Sequence, residues 1–235
     1  MLLFLFGTET AVKKVMVMKN LLTIPFVFCA FFAFGQQTKH FNLYDLKGAN
    51  KLQVVQRQIE PLLDGAYKGV RLSQDTGEGL AWIRAESFSL GTIEFDVRGK
   101  DEMQRSFVGI AFHGQDDQTF EAVYFRPFNF LAKDSVRRIH AVQYISHPVH
   151  TWKNLRENPA TKSKFEKEVS NPPDPNGWFH VKVLVTKEEV KVYINNRIEP
   201  EMVVKRLSLL DMGKIGLFVG DGSGGDFANL VIDKG

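Results

Sequence analysis

Two stretches of the chain carry side chains that could grip a polyol from neighbouring strands. In Tyr124-Phe-Arg126-Pro-Phe-Asn129, strand parity puts Tyr124 and Arg126 on one face, and Pro127 ends the strand before Asn129. A guanidinium fork can hold vicinal hydroxyls or a carboxylate, and an aromatic ring can stack on a sugar face. His140-Ala-Val-Gln143-Tyr144-Ile-Ser-His147 adds His140, Gln143, Tyr144 and His147 on the next strand, and Trp152 follows closely enough to close over the group. The same residues also have a structural alternative: a buried arginine satisfied by carbonyl groups, with Trp152 sealing the core edge. Strands that mix Arg, His, Gln and Tyr are unusual in a plain core.

Other constellations point less far. His140, His147 and His150 lie near one another in sequence, but no HExxH helix accompanies them and Pro148 favours an extended turn, so no metal is expected there. Gly220-Asp-Gly222-Ser-Gly-Gly225 matches GxGxxG literally. A strand follows it rather than a helix, so no helix N-terminus is available to cradle a phosphate, and the segment is a turn. There is no nucleophile elbow.

The elements that must position these groups are strands. Trp178–Asn196, Gly213–Gly220 and Gly225–Ile232 alternate apolar and polar residues, with Lys187-Glu188-Glu189 and Asp221–Gly225 as the breaks between them. Gly91–Gly99 does the same, with Ile93, Phe95 and Val97 on one face and Glu94, Asp96 and Arg98 on the other. Phe41–Leu46 reads as an entry segment, and Leu52–Ile59, Tyr67–Ser73, Leu80–Ile83, Phe107–His113, Phe120–Arg126 and His140–Ser146 read as β-prone. Strands at this spacing, with glycine-rich turns and almost no helical period, predict an all-β protein with a two-sheet antiparallel jelly-roll β-sandwich. Residues 151–177 break the rhythm. They are charged and hold Pro159, Pro172, Pro173 and Pro175, and Trp152–Arg156 could make one helical turn. This irregular excursion is expected to pack over one mouth of the sandwich, since loops of such length are commonly functional or disordered.

Residues 1–35 read as a signal peptide, with a true start at Met18 a possibility, and residues 36–235 as a single domain. A short basic start at Lys19, an apolar run over Leu21–Phe34 and the small residues Ala33 and Gly35 are the marks of a cleaved leader. The run is shorter than the about 20 residues that a span needs, so no membrane span is expected after cleavage. Acylation of Cys29 is the alternative, and bulky Phe28 before it argues against that. Cys29 is the only cysteine, so the mature chain has no disulfide, thiolate or cysteine–zinc chemistry and rests on its core alone. The formal charge of +3 includes three lysines and one glutamate of the leader, and removing them leaves +1. Without a concentrated basic face, nucleic acid is not an expected partner.

Gly91-Thr-Ile-Glu-Phe-Asp-Val-Arg-Gly99, Val108-Gly-Ile-Ala-Phe-His113, Trp178-Phe-His-Val-Lys-Val183, and Val190-Lys-Val-Tyr-Ile-Asn195 with Gly213–Gly220 together resemble the concanavalin A-like lectin/glucanase superfamily. That superfamily includes laminin G-like domains and the 3-keto-disaccharide hydrolase domain family. The resemblance covers roughly residues 41–233, is one of pattern, and implies a concave sheet that often binds carbohydrate. It also invites comparison of Glu94-Phe-Asp96 with the glucanase catalytic strand, Glu-x-Asp-x-Glu or Glu-x-Asp-x-x-Glu. Retaining hydrolysis needs two carboxyls about 5 Å apart. Arg98 or Gly99 stands where the second glutamate belongs, so the motif lacks its acid/base and a solvated charged face explains Glu94 and Asp96 as well. Laminin G-like domains sometimes bind calcium, which makes Asp221 and Asp226 candidates, although a hairpin aspartate supporting its own turn is the commoner case.

The expected function is a secreted or periplasmic domain that binds a poly- or oligosaccharide in a cleft near Arg126, through Tyr124, Arg126, Asn129, His140, Gln143, Tyr144, His147 and Trp152. A glycoside hydrolase with a non-standard carboxylate set drawn from Glu94, Asp96 and Glu121 is one alternative. A protein-binding adhesion module is the other.

Overall fold

The computed structural model describes residues 37–235, so the leader expected over residues 1–35, with Cys29, lies outside them. The described chain runs β1 (Gln37–Phe41), α1 (Leu43–Gly48), β2 (Leu52–Val55), β3 (Ile59–Asp64), β4 (Tyr67–Leu72), β5 (Gly79–Phe88), β6 (Gly91–Arg98), β7 (Val108–Gly114) and β8 (Glu121–Phe125). A 3-10 turn over Pro127–Asn129 leads to α2 (Ser135–Arg138), β9 (Val142–Ser146), α3 (Trp152–Glu157) and β10 (Glu166–Lys167). The chain continues through β11 (Phe179–Val185), β12 (Glu189–Ile194), β13 (Met202–Lys205), β14 (Gly213–Val219) and β15 (Gly225–Lys234).

These strands make two antiparallel sheets. The first has the order β13-β12-β11-β6-β15-β4-β3, with β1 also paired to β15, and the second β10-β9-β8-β7-β14-β5-β2. In β6, Ile93, Phe95 and Val97 are wholly buried while their neighbours are only half-buried, as alternation requires of a strand with one face inward. The same alternation recurs in β11 and β12. Their inward side chains meet Val108, Ile110, Phe112, Val123, Phe125 and Leu217 of the second sheet in one inter-sheet core. Each fully buried side chain of this size contributes about 1.5–3 kcal/mol. The all-β, two-sheet antiparallel class expected from the sequence is that of the molecule.

Two local departures from the sequence expectation matter for the site. The stretch Leu52–Ile59 looks like a single β-prone run, yet it holds two strands in different sheets. Gln56 takes a positive φ of 51° and turns the chain from β2 in the second sheet toward β3 in the first. Residues 151–177, expected to be irregular, contain α3 and the edge strand β10. Buried Leu155 seats α3, and β10 pairs with β9 through Glu166 opposite Gln143. Among the described residues, no helix is long and apolar enough to cross a membrane.

Candidate functional site

The face of the second sheet turned away from the core is not a plain solvent face. Register aligns Gln143, Tyr124, Gly109, Phe218 and Leu80 in one cross-strand row, and Ile145, Ala122, Ala111, Gly216 and Trp82 in the next. Most of these residues form a second apolar cluster, separate from the inter-sheet core. Aromatic rings cross it in an unbroken chain. Trp82 meets Phe120 edge-on at 6.0 Å, Phe120 meets Phe218 at 6.0 Å, and Phe218 meets Tyr124 at 5.5 Å. Tyr124 meets Phe107 at 6.1 Å, and Phe107 meets Phe128 at 5.5 Å. Gly109 makes room for Tyr124. A Cβ there would fall inside the contact distance of the Val123 carbonyl oxygen and 2.8 Å from Tyr124 Cβ.

A cleft of about 590 Å³ opens over the Tyr124 end of this floor, within the size range of small-ligand sites. Arg126 sets its chemistry. The chain leaves β8 at Arg126, Pro127 opens the 3-10 turn, and the Arg126 amide donates to Ala141 O at 2.7 Å. The guanidinium lies 4.9 Å from the centre of the Tyr124 ring and 5.6 Å from that of Phe107. Its Nη1 donates to His140 O at 2.8 Å, and its Nη2 donates to Tyr124 Oη at 2.8 Å and to Gln143 Oε1. Burial pulls its pKa below the ordinary guanidinium value, and burial likewise pushes the Tyr124 phenol up to about 12. Arg126 is thus both buried on a carbonyl and a lining residue of the cleft.

Further cationic groups stand beside it. Thr151 caps α3, its Oγ1 accepting from Asn154 N at 3.1 Å, and the helix places Trp152 and Arg156 in the cleft with the Arg156 guanidinium 5.2 Å from the Trp152 ring centre. Arg156 donates to both oxygens of buried Glu166, from Nε at 3.3 Å and from Nη2 at 2.7 Å. His140 Nδ1 lies 2.7 Å from Glu166 Oε2, yet burial outweighs that carboxylate and lowers the His140 pKa. Arg137 of α2 donates from Nε to Asn129 Oδ1 at 3.3 Å and from Nη2 to Phe128 O at 2.8 Å. Asn129 reaches His140 O at 3.4 Å.

Acidic residues enter from two other loops. Buried Arg57 ties those loops together, donating to the carbonyl oxygens of Gln56, Thr76, Gly77, Gly220 and Ser223 at 2.5–3.2 Å. Asp221 Oδ1 accepts from Gly77 N at 2.6 Å. Glu78, the next residue, lines the cleft, and its carboxyl is pushed up to about 7, first by burial and then by the Asp221 charge. His147 stacks on Phe120 at 5.0 Å with Nε2 3.4 Å from Glu78 Oε1, and its own burial lowers its pKa.

The sequence candidates thus divide. Tyr124, Arg126, Asn129, His140 and Trp152 share the cleft, Gln143 supports Arg126 from behind it, and His147 sits against Glu78. Tyr144 points the other way, into the inter-sheet core, where its hydroxyl donates to Glu121. Glu121 is wholly buried and also bonded to His113 and Arg206. Glu94 and Asp96 project from the outer face of the first sheet, where His180 lies 3.4 Å and 2.9 Å from them. None of the three carboxylates named as catalytic candidates lines this cleft. Asp226 is held by Arg71 at 2.6 Å and Arg98 at 2.7 Å, leaving its carboxylate neutralised rather than free for a cation with Asp221. Among the described residues, no three His, Cys, Asp or Glu side chains come together as a metal cluster would need. Glu78, Arg137 and Arg156 escaped sequence reasoning. Only Arg156 left a signal, its four-residue spacing from Trp152 in a stretch that already read as a helical turn.

No protein-family model matches the sequence, and none of the curated proteins does. Solved structures do share the fold. The carbohydrate binding module CBM66 from Bacillus subtilis superposes with a TM-score of 0.52 at 17% identity, over 78% of this chain and 92% of that one. A protein of unknown function with a galectin-like fold, also from Bacillus subtilis, reaches 0.56 at 12% identity over 83% and 94%. The carbohydrate recognition domain of Emp46p, in its metal-free form, reaches 0.51 at 14% identity over 83% and 94%. At these identities the likeness is one of fold, a lectin-like jelly roll of the concanavalin A-like kind.

Proposed function

We propose that this protein is a secreted or periplasmic carbohydrate-binding domain, released from a leader over residues 1–35, that holds a glycan in the cleft above Tyr124. The carrying observation is the combination of an unbroken aromatic floor with a guanidinium fixed in it and two exposed lining side chains, Met103 and Trp152. Sugars bind such sites by stacking their C–H faces on rings and spending their hydroxyls on oriented donors. Several of the fold's solved neighbours have carbohydrate-binding names, which supports the reading without assigning a ligand. In finer terms we place the chain beside the laminin G-like and 3-keto-disaccharide hydrolase domains, on the strand motifs they resemble. The test is binding to a panel of insoluble and immobilised polysaccharides, with Arg126→Ala beside the wild type. Loss of binding by at least about tenfold, with a cooperative melt retained, is expected. A folded Arg126→Ala protein that binds as tightly as the wild type sinks the cleft assignment.

One observation favours a second reading, hydrolysis. Glu78 lines the cleft with a carboxyl that stays half-protonated near pH 7, the state a general acid needs. Reducing sugar released from a bound polysaccharide, and abolished in Glu78→Gln, would establish it. Tight binding with no release by the wild type would discard it.

A further inference from the structure

The cationic corner of the cleft holds more charge than the protein itself compensates. Arg156 and His140 each lie 2.7 Å from Glu166 Oε2, and Arg126 Nη1 lies 4.0 Å from the same atom. Arg137 joins them through Asn129, which touches His140 O, the acceptor for Arg126. Two guanidiniums and an imidazole thus share one carboxylate, a third guanidinium stands beside them without one, and the positive charges of Arg126 and Arg156 each work against protonation of His140. Buried Arg126 and its half-buried neighbours Arg137 and Arg156 leave positive charge in excess, which an incoming anion relieves.

The guanidiniums are also held in the same manner. Arg137 is clamped through Nε and Nη2 on Asn129 and Phe128, and Arg156 through Nε and Nη2 on Glu166. In both, Nη1 has no protein hydrogen-bond partner among the described residues. Arg126 has its Nη2 edge filled by Tyr124 and Gln143 and leaves Nε without one. A fork whose plane is already fixed loses little entropy on binding, and charge-assisted bonds from guanidinium to carboxylate are about twice as strong as neutral ones. The acidic residues of the cleft, Glu78 and Asp221, belong to the loops that Arg57 ties together and would repel a carboxylate placed beside them.

We infer that the sugar taken by this cleft carries a carboxylate, as a uronic acid residue does, and that Arg137 and Arg156 hold it through their Nη1 groups. This rests on the glycan-binding reading above and names its ligand class. The experiment pairs probes. Oligosaccharides of alginate, polygalacturonate, glucuronoxylan and hyaluronan are each titrated calorimetrically against the purified protein, beside the same oligosaccharide with its carboxyls reduced to alcohols, and beside dextran sulfate. One of the acidic oligosaccharides is expected to bind, and its reduced partner to bind at least about tenfold more weakly. Arg137→Gln and Arg156→Gln are each expected to lose a similar factor on the acidic form and little on the reduced one. The paired comparison needs only the wild-type protein, so a variant that fails to fold leaves it intact. Equal affinity for acidic and reduced partners, or binding confined to neutral glycans, overturns the carboxylate while upholding the glycan cleft. Dextran sulfate bound as tightly as the best uronate, with neither arginine mattering, reduces the corner to general charge attraction and overturns it as well. Binding to no glycan at all overturns both.

Discussion

The outer faces of the two sheets begin from the same material and end differently. On the first sheet, the outward charges of β6 are answered in place. Asp226 takes two arginines, His180 sits between Glu94 and Asp96, and Lys182 adds a contact to Glu94 at 3.6 Å. Arg98 lies 4.9 Å over Trp178, and Trp178 stacks on Tyr67 at 4.2 Å, so even the aromatics there are paired with each other. On the second sheet the outward residues are aromatic, and the charges above them are incompletely matched, with two guanidiniums and a histidine around Glu166 and a carboxyl at Glu78 that resists ionisation. A face whose polar groups are satisfied by neighbours is finished, whereas one that holds oriented donors without acceptors is prepared for something else.

The contrast breaks most sharply at the edge of the prepared face. Arg57→Ala leaves five carbonyl oxygens without their donor, and a stability loss of about 3–4 kcal/mol in urea unfolding is expected, together with weakened glycan binding as the Glu78 and Asp221 loops separate. On the finished face, Asp226→Ala strands Arg71 and leaves Arg98 with Asp64 alone, at 2.6 Å, with a cost of about 2 kcal/mol expected in the same assay and no change in glycan affinity. An affinity change there would erase the distinction between the faces. Trp152→Ala is the reverse case. The ring is exposed, so the melt should stay within about 0.5 kcal/mol of the wild type while affinity falls about tenfold, measured by calorimetry.

A further effect is in pH. The folded Glu78 carboxyl titrates at about 7, against 4.5 when unperturbed, so between those values the folded state binds more protons than the unfolded one. Glu78 must therefore make stability fall as pH rises from about 5 through 7 and level off above. Melting curves across that window should slope less in Glu78→Gln. An identical slope in the variant would show that Glu78 ionises freely and that the cleft is wetter than its burial implies.

These contrasts were unequally legible in the sequence. β6, β11 and β12 bury one face each, so alternation revealed both the strands and their inward residues. In β8 and β9 all five positions of each strand are buried. Parity pairs Tyr124 with Arg126, but nothing local says which face of β9 meets the core, so Gln143 and its neighbour Tyr144 stand together as site candidates although they point to opposite sides. Glu121 joins the catalytic candidates on residue type alone, because its partners, His113, Tyr144 and Arg206, come from three other segments. Glu78 lies between two glycines, and its importance comes from Arg57 and Asp221, which are distant in sequence. The strand periods are local, whereas the charge balance of the cleft is made by long-range contacts.

The strand order also constrains when the protein can fold. β14 lies between β5 and β7 at the middle of the second sheet, and β15 pairs with β6, β4 and β1 in the first. Both follow the other described strands in sequence. Until residues 213–234 emerge, each sheet consists of two half-sheets with bare edges, and every closing contact spans a large part of the chain. The sheets cannot close until residues 213–234 have been made, which keeps the nascent domain open and makes its early edges the points that a chaperone would have to guard.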